Sequence, residues 1–424
     1  MKMRAVILFL SLSLSISTCA NHAAEKCADG WIGGINSPTF PGGTGVNIHF
    51  TDAQPGEIKM IAGAGFRWVR MDFVWAETER QRGVYDFSAY DRLLTALDQN
   101  RLNALFILDY GNPLYTKDKA VRTEEARQAF TRWALAAAKH FGGRGAIWEL
   151  FNEPNNKMFW PPAPNVGEYI TLALMVGHAF RSEAPNEKLV GPATGLDFPF
   201  LESCFKAGLL DYWSAVSVHP YRDDDPENAA TEYCRLRKLI RDHNRGKEMP
   251  IISSEWGYSS AWPRMNEQQQ AAMLTRELLT NVANGIPISI WYDWRDDGGD
   301  ANEGEHHFGI VHQEFMGNSE SPFAPKPAYF AAKTVNSFLN GSSYQKRIST
   351  TDADDFVLVF SDSGRERIAA WTTASRPRQV LISLQPGSYT LTKSSGEKMR
   401  EVSVGQNGLT IELATSPIFL WPLR

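Results

Sequence analysis

The stretch IWELFNEPNN, residues 147–156, organises the interpretation of the whole chain. It opens with an apolar, aromatic-rich run that Pro154 soon ends, which is too short for a free-standing helix and predicts a strand over 146–152. Asn152 and Glu153 then lie where that strand stops. Barrel and doubly wound α/β enzymes place their chemistry at this end of a strand, because the loops there form the mouth of the cleft.

A second candidate carboxylate, Glu255, ends another apolar run in PIISSEWGY. It lies far from Glu153 along the chain, so only a fold that brings distant strand ends together can pair the two side chains. The two glutamates belong to predicted strands four and seven of a longer series. In a closed barrel those two strand ends face one another across the mouth.

Eight apolar extended runs alternate with helical patterns between residues 31 and 340. The runs cover residues 45–50, 66–74, 103–110, 146–152, 188–193, 215–220, 250–256 and 288–293, and the clearest helical patterns cover 88–100, 123–141, 168–184 and 267–283. Each interval leaves room for one strand and one helix. This order predicts a (β/α)8 TIM barrel, which is an α/β fold, over residues 31–340.

The pattern changes after residue 340. Residues 341–424 read as short strands with turn signals, and no helix fits them. They predict a small C-terminal antiparallel β-sandwich domain, whose role we expect to be structural because no aromatic platform is evident in it.

The N-terminus predicts a secretory signal peptide over residues 1–20. Lys2 and Arg4 precede an apolar segment that is too short to span a bilayer, and small residues follow it. We therefore expect a secreted or periplasmic protein. Cys19 leaves a lipoprotein as the alternative, which Thr18 disfavours.

Three cysteines remain after such a cleavage: Cys27, Cys204 and Cys234. An oxidising compartment permits one disulfide, for which Cys204 and Cys234 are the nearer pair in sequence. Three buried thiols are the alternative.

Composition favours a carbohydrate over a polyanion as the ligand. A formal charge of −5 and a pI near 6.0 argue against nucleic acid or an anionic membrane as the main partner. The 13 tryptophans offer flat rings that suit stacking against sugar faces, with core packing as the alternative for many of them.

Taken together, the motifs resemble the retaining glycoside hydrolases of the large (β/α)8 clan A. The similarity is greatest with family 39, the β-xylosidase and bacterial exopolysaccharide endoglycosidase group, and family 5 shares much of the pattern. It rests on RWVRMDFVW at strand two, WELFNEPN at strand four, SVHPY at strand six and SEWGY at strand seven.

The resemblance implies a role for each matching residue. Glu153 would be the general acid/base and Glu255 the nucleophile. Asn152 would bond the sugar 2-hydroxyl, and Arg70 would support the charge of the nucleophile or pair inside the barrel with Glu149. The resemblance also implies substrate contacts from His219, Tyr221 and Trp291, the last as a stacking platform.

Chemistry adds an expectation about charge. Glu153 must stay protonated near neutral pH to act as an acid, and an ionised Glu255 nearby would help by raising the pKa of Glu153. An adjacent guanidinium would keep Glu255 ionised.

The loops suggest four further substrate contacts. Asp109 and Asn112 follow strand three and could bind hydroxyls of a neighbouring sugar, or only shape a turn. Trp160 and Trp256 follow strands four and seven and could stack on sugars or pack in the core. No residue spacing predicts a metal site, because the adjacent His306 and His307 point in different directions on any backbone.

The sequence therefore predicts a secreted retaining β-glycosidase that cuts within a polysaccharide by double displacement between two glutamates, with no cofactor or metal. An exo-acting enzyme similar to β-xylosidases and a non-catalytic carbohydrate-binding barrel are the alternatives. The identity of the sugar, the linkage and the oligomeric state stay open.

Overall fold

The computed structural model describes residues 41–318 and 320–423. The predicted signal peptide over residues 1–20 and the cysteines Cys19 and Cys27 lie outside the described residues.

Eight parallel strands close into a barrel in chain order, with the first strand paired to the eighth. They are β1 Gly43–Asn47, β2 Trp68–Val74, β3 Asn103–Asp109, β4 Ile147–Leu150, β5 Lys188–Gly195, β6 Ala215–His219, β7 Ile251–Trp256 and β8 Ile288–Trp291. Each predicted run overlaps one strand. The predicted (β/α)8 barrel is confirmed.

Nine α-helices occur in the described part of the chain. They are α1 Glu57–Gly63, α2 Trp75–Thr78, α3 Ser88–Gln99, α4 Glu124–His140, α5 Val166–Glu183, α6 Phe198–Lys206, α7 Ala229–His243, α8 Glu267–Ala283 and α9 Pro327–Leu339. Short polar side chains begin four of them: Thr123, Asn165, Asp197 and Asn266 each accept a hydrogen bond from the backbone N–H three residues on. Within residues 41–318 and 320–423, no helix combines the length and the apolar character that a membrane span requires.

The lower part of the barrel interior is apolar. Its buried cluster consists of Trp68, Leu105, Ile147, Val190, Ala215, Ile252, Ile288 and Ile290. Side chains two residues further along a strand point to the same side, so Arg70 follows Trp68 and Glu149 follows Ile147 towards the carboxyl ends. A buried apolar layer therefore lies directly beneath the polar mouth of the barrel.

Antiparallel strands follow the barrel. β9 Val311–Phe315 and β10 Phe323–Pro325 form a hairpin before α9, and the remaining strands are β11 Ser343–Arg347, β12 Asp355–Asp362, β13 Arg365–Thr372, β14 Arg378–Ile382, β15 Gly387–Lys393, β16 Lys398–Val404, β17 Leu409–Leu413 and β18 Ile418–Pro422. A six-stranded sheet, β11-β12-β13-β18-β15-β16, and the pair β14-β17 share a buried apolar core. This agrees with the predicted β-sandwich.

The C-terminal sheets pack on the barrel through aromatic side chains. Phe338 of α9 contacts the rings of Phe360, Phe419 and Trp421. Trp371 of β13 donates a hydrogen bond of 2.6 Å to a carboxylate oxygen of Glu227 on the barrel side. These contacts support the expected structural role.

The favoured disulfide is wrong. Cys204 is a free thiol buried in α6, whereas Cys234 in α7 is disulfide-bonded. The prediction relied on the short separation of the two cysteines in sequence. In the structure the side chain of Cys204 packs in the apolar core beneath α6 and not against Cys234. Burial accordingly raises the pKa of the Cys204 thiol.

Candidate active site

A strained turn at the end of β4 aims Glu153 into the mouth of the barrel. Phe151 and Glu153 both adopt left-handed backbone conformations, with φ of 69° and 43°. Such a conformation costs a non-glycine residue about 1–3 kcal/mol and persists only where the surroundings enforce it. Here the backbone N–H of Glu153 donates a 2.9 Å hydrogen bond to the carbonyl of Ala193 in β5.

An irregularity in β7 aims the second carboxylate. The pairing of β7 with β8 shifts register between Ser253 and Trp256, and Glu255 lies within that shift. Bulges of this kind re-aim a side chain next to a functional site. Glu255 consequently reaches the mouth from the strand nearly opposite Glu153.

The two glutamates meet around His219, which ends β6. One carboxylate oxygen of Glu153, one of Glu255 and a ring nitrogen of His219 all lie within 4.8 Å of one another. We call these three residues the central triad. Retaining glycosidases hold their two carboxyl groups roughly 5–5.5 Å apart, and inverting ones roughly 6.5–9.5 Å. The bound of 4.8 Å between single oxygens of the two carboxylates lies nearer the retaining range than the inverting one.

Arg70 of β2 is the hub beneath the triad and is almost fully buried. Its guanidinium donates to Glu149 at 2.7 Å, to Asn152 at 2.8 Å, to Asn47 at 3.2 Å and to Glu255, and it approaches His219 Nε2 at 3.3 Å. Burial lowers the pKa of Arg70, but the charges of Glu149 and Glu255 outweigh burial and raise it. Arg70 therefore contacts both Glu149 and Glu255, the partners of its two alternative predicted roles.

The hydrogen bonds of His219 fix its tautomer. Arg70 can only donate, so the approach of Nη2 to His219 Nε2 leaves Nε2 as an acceptor and puts the proton on Nδ1. Nδ1 then donates to Glu153 at 3.0 Å, and Asn156 donates to the other oxygen of Glu153 at 3.0 Å. Both oxygens of Glu153 have a donor.

These donors set the pKa of Glu153 against our expectation. Burial raises this pKa, but the hydrogen bond from His219 and the further donors outweigh burial and bring the pKa of Glu153 below its usual value. The expected rise through a nearby ionised Glu255 is absent in the free protein. His219 and Asn156, with the charge of Arg70, stabilise the ionised carboxylate more than burial opposes it.

Two donors orient the carboxylate of Glu255. The guanidinium of Arg70 contacts one carboxylate oxygen, and the hydroxyl of Tyr221 donates to the other at 3.0 Å. Burial and then the charge of Glu255 raise the pKa of Tyr221 well above its usual value, so Tyr221 stays a donor. The structure thus brings Glu153, Glu255, Arg70, Asn152, His219 and Tyr221 together at the mouth.

The structure does not bring the three predicted tryptophans to the cleft. Trp160, Trp256 and Trp291 are completely buried and belong to the apolar core. The ring of Trp160 is held by a 2.9 Å hydrogen bond to Glu168, and that of Trp291 by one of 3.3 Å to a backbone carbonyl. The proposed stacking roles are wrong, because none of these rings has a face open to a ligand.

Asp109 and Asn112 are also buried and do not reach the cleft surface. The amide of Asn112 donates to the carbonyl of Glu79 at 2.9 Å and accepts from the backbone of Leu114, so it shapes the turn. Burial, and then the charge of Asp72, raises the pKa of Asp109 well above its usual value. The predicted hydroxyl contacts are wrong, and the structural alternative holds for this loop.

Tyr292 takes the place at β8 that the sequence assigned to Trp291. Its half-buried ring lies 5.6 Å from the ring of His49 and 5.3 Å from that of Phe308. Burial, followed by the charges of Asp293 and Glu255, raises the pKa of its phenol. A signal was present in the sequence, because Ile288 and Ile290 point into the barrel and period-two alternation continues that face to Tyr292.

Two further residues at the mouth, Trp262 and Glu305, belong to no motif in the sequence. Trp262 is half-buried and packs edge-on against Phe308 at 5.3 Å. Burial, followed by the charge of Glu255, raises the pKa of Glu305, and the charge of Glu153 raises it further. Trp262 lies in a loop and Glu305 in the short 3-10 helix Gly304–His307, and the periodicity of the sequence does not specify the path of such connecting segments.

A second group with metal-like spacing lies at the rim between β1 and β8. One donor atom each of His49, Asp293 and Asp297 lies within 4.8 Å of the other two, and we call these residues the rim triad. Burial lowers the pKa of His49, but Asp293 outweighs burial and raises it to about 9. Burial raises the pKa of Asp293 to about 7, against the opposing effect of His49.

The fold is that of solved TIM-barrel glycoside hydrolases. A solved family 39 glycoside hydrolase from the gut symbiont Bacteroides cellulosilyticus WH2 is 24% identical, covers 90% of this chain and 80% of its own, and superposes with a TM-score of 0.76. A monomeric β-xylosidase from Caulobacter crescentus CB15 is 16% identical over 90% of this chain and 96% of its own, with a TM-score of 0.64.

A family 30 endoxylanase from Clostridium papyrosolvens C71 is 12% identical over 89% of this chain and 95% of its own, with a TM-score of 0.64. No protein-family model matches the chain, and no curated protein matches it in sequence. The resemblance to family 39 that the motifs predict is confirmed at the level of the fold, which is what identities this low establish.

Proposed function

We propose that this protein is a retaining β-glycosidase that hydrolyses O-glycosidic bonds by double displacement. The observation that carries the proposal is the central triad, in which the carboxylates of Glu153 and Glu255 approach within 4.8 Å on opposite sides of one cleft. Glu255 accepts hydrogen bonds from Arg70 and Tyr221, whereas Glu153 accepts them from His219 and Asn156. This difference supports two different roles.

Glu255 is suited to be the nucleophile. Arg70 and Tyr221 keep it ionised and oriented. In the first step, an oxygen of Glu255 attacks the anomeric carbon, the bond to the leaving oxygen breaks, and Glu153 gives that oxygen its proton. The products are a covalent glycosyl ester and a free sugar hydroxyl. Asn152, fixed by Arg70, is in place to bond a hydroxyl beside the anomeric carbon.

In the second step Glu153, now a carboxylate, takes a proton from water as the water oxygen attacks the anomeric carbon. The ester bond to Glu255 breaks and the sugar leaves with its original anomeric configuration. His219 and Asn156 stabilise the carboxylate form of Glu153, which is the form that this step requires. The first step requires Glu153 in its protonated form. These two hydrogen bonds oppose that protonation, because they favour the carboxylate.

We propose endo action on a polysaccharide. Half-buried aromatic rings lie on two sides of the mouth: Tyr110 stacked with Phe159 beyond β3 and β4, and Trp262 beyond β7. Such rings suit sugars on both sides of the bond that is cut. An exo-acting β-xylosidase is the second candidate, favoured by the structural likeness to the Caulobacter enzyme.

The test combines a substrate panel with two variants. Wild-type protein is incubated with aryl β-glycosides and polysaccharides, and the products are followed by NMR for anomeric configuration and by chain-length analysis. We expect retention, with oligosaccharides of mixed length. A first product of inverted configuration would contradict the mechanism, and release of single sugars only would favour the exo candidate.

Glu153→Gln and Glu255→Gln are the matched variants, because each keeps the shape of the side chain and removes its charge. Full activity in both folded variants would overturn the assignment. Sugar binding without turnover of any substrate by the wild type would instead support a non-catalytic barrel.

We further propose that the protein is exported to an oxidising compartment. The proposal rests on the signal sequence over residues 1–20, and the disulfide at Cys234 supports it, because disulfides persist mainly in such compartments. N-terminal sequencing of the protein from its native cells tests it. An intact N-terminus at Met1 would contradict export by this signal.

A further inference from the structure

The rim triad differs from the central triad in what its polar atoms contact. In the central triad each carboxylate oxygen has a hydrogen-bond donor, from Arg70, Tyr221, His219 or Asn156. In the rim triad Asp293 is 1% exposed, yet neither of its carboxylate oxygens accepts a hydrogen bond. A buried carboxylate without donors is costly unless a cation or a proton compensates it.

Among residues 41–318 and 320–423, His49 is the residue that forms an ion pair with the carboxylate of Asp293. Nε2 of His49 lies 3.4 Å from Oδ2 of Asp293. That distance is longer than a charge-assisted hydrogen bond, which is about 2.7–2.9 Å. It equals the gap of roughly 3.4 Å that separates two ligands bonded at 2.0–2.1 Å to one tetrahedral zinc ion.

The strands hold these donors rigidly. β1 and β8 are paired, and His49 and Asp293 each lie two residues beyond the end of their strand. Asp297 completes the group from the loop after β8, where its backbone carbonyl accepts a hydrogen bond from Gln313 of β9. Asp297 is exposed, which leaves a path from solvent.

We propose that His49, Asp293 and Asp297 bind one divalent metal ion of zinc-like preference, at the rim of the cleft. Zinc binds both imidazole nitrogen and carboxylate oxygen, the two donor types present here, whereas calcium takes oxygen donors. The central triad is not the metal site, because its donors are occupied and the guanidinium of Arg70 opposes a second cation there.

The test is calorimetric titration of the full-length, metal-free protein with zinc chloride. We expect one zinc ion per chain. Asp297→Asn should weaken zinc binding at least about tenfold, and because Asp297 is exposed, this change does not threaten folding. His49→Gln should weaken it as well. The matched control is Asp300→Asn, an exposed acid of the same loop, which should leave binding unchanged.

Three results would overturn the proposal: no saturable zinc binding, undiminished binding in Asp297→Asn, or tighter binding of calcium chloride than of zinc. Glu153→Gln separates the two triads, because loss of zinc binding in that variant would assign the ion to the central triad instead. The readout is heat of binding and not turnover, so the result is independent of the proposed glycosidase activity.

Discussion

The mouth of the barrel carries two triads of the same composition, each with one histidine and two carboxylates. In the central triad the partners assign every proton: Arg70 makes Nε2 of His219 an acceptor, and Nδ1 consequently donates to Glu153. In the rim triad no described residue donates a hydrogen bond to the buried carboxylate of Asp293, which His49 approaches only to 3.4 Å. The difference teaches that residue type and spacing do not determine chemistry, whereas the surrounding hydrogen bonds do.

The largest effect should come from the central triad. We expect Glu255→Gln to lower kcat by at least about 10⁴-fold, because a neutral amide cannot form the glycosyl ester. Glu153→Gln should cost about 10²–10⁴-fold on a substrate with a poor leaving group and much less on an aryl glycoside that leaves without protonation. Steady-state kinetics on both substrates checks this. Equal losses on both substrates would contradict the assigned roles.

Stability offers a second way to separate the two sites. Glu149 and Asp293 are both buried carboxylates, but Glu149 is bonded to Arg70 at 2.7 Å. Glu149→Gln should lower the free energy of unfolding by about 3 kcal/mol, because it leaves part of the guanidinium charge unpaired. Denaturant unfolding measures this. A loss below about 1 kcal/mol would mean that Glu255 alone neutralises Arg70.

The pH profile tests the hydrogen bond within the central triad. Donation from His219 lowers the pKa of Glu153, so His219→Ala should raise it. The general acid works only when protonated, so the alkaline limb of kcat/KM should move to higher pH by about one unit, the equivalent of one hydrogen bond. His178→Ala, on the exposed face of α5, is the control. An unmoved limb would show that His219 does not set the acidity of Glu153.

The smallest effect should come from the rim triad without metal. Asp293→Asn should change the free energy of unfolding by no more than about 1 kcal/mol, because the native carboxylate accepts no hydrogen bond that the amide would lose. Unfolding in the presence of a chelator, beside Glu149→Gln, gives the comparison. A loss as large as that of Glu149→Gln would show that the ion pair with His49 is a strong structural contact.

Several parts of the site were predictable from local pattern. The turn at Pro154 and the apolar runs place Glu153 and Glu255 at strand ends, and Arg70 falls on the inward face of β2. The tryptophans were not predictable in this way. A residue just past a strand end can turn to the helices or to the cleft, and the one-residue difference between Trp291 and Tyr292 decides which ring meets solvent.

The sequence by itself determined the barrel, because period-two and helical patterns are local and alternate eight times. It also determined which two carboxylates could meet, since both end strands of that series. Only the tertiary structure decided the separation of those carboxylates, the pairing of Cys234, the tautomer of His219 and the unpartnered state of Asp293. These depend on contacts between residues far apart in the chain, and hydrogen bonds of about 3 Å require positions that no local pattern specifies.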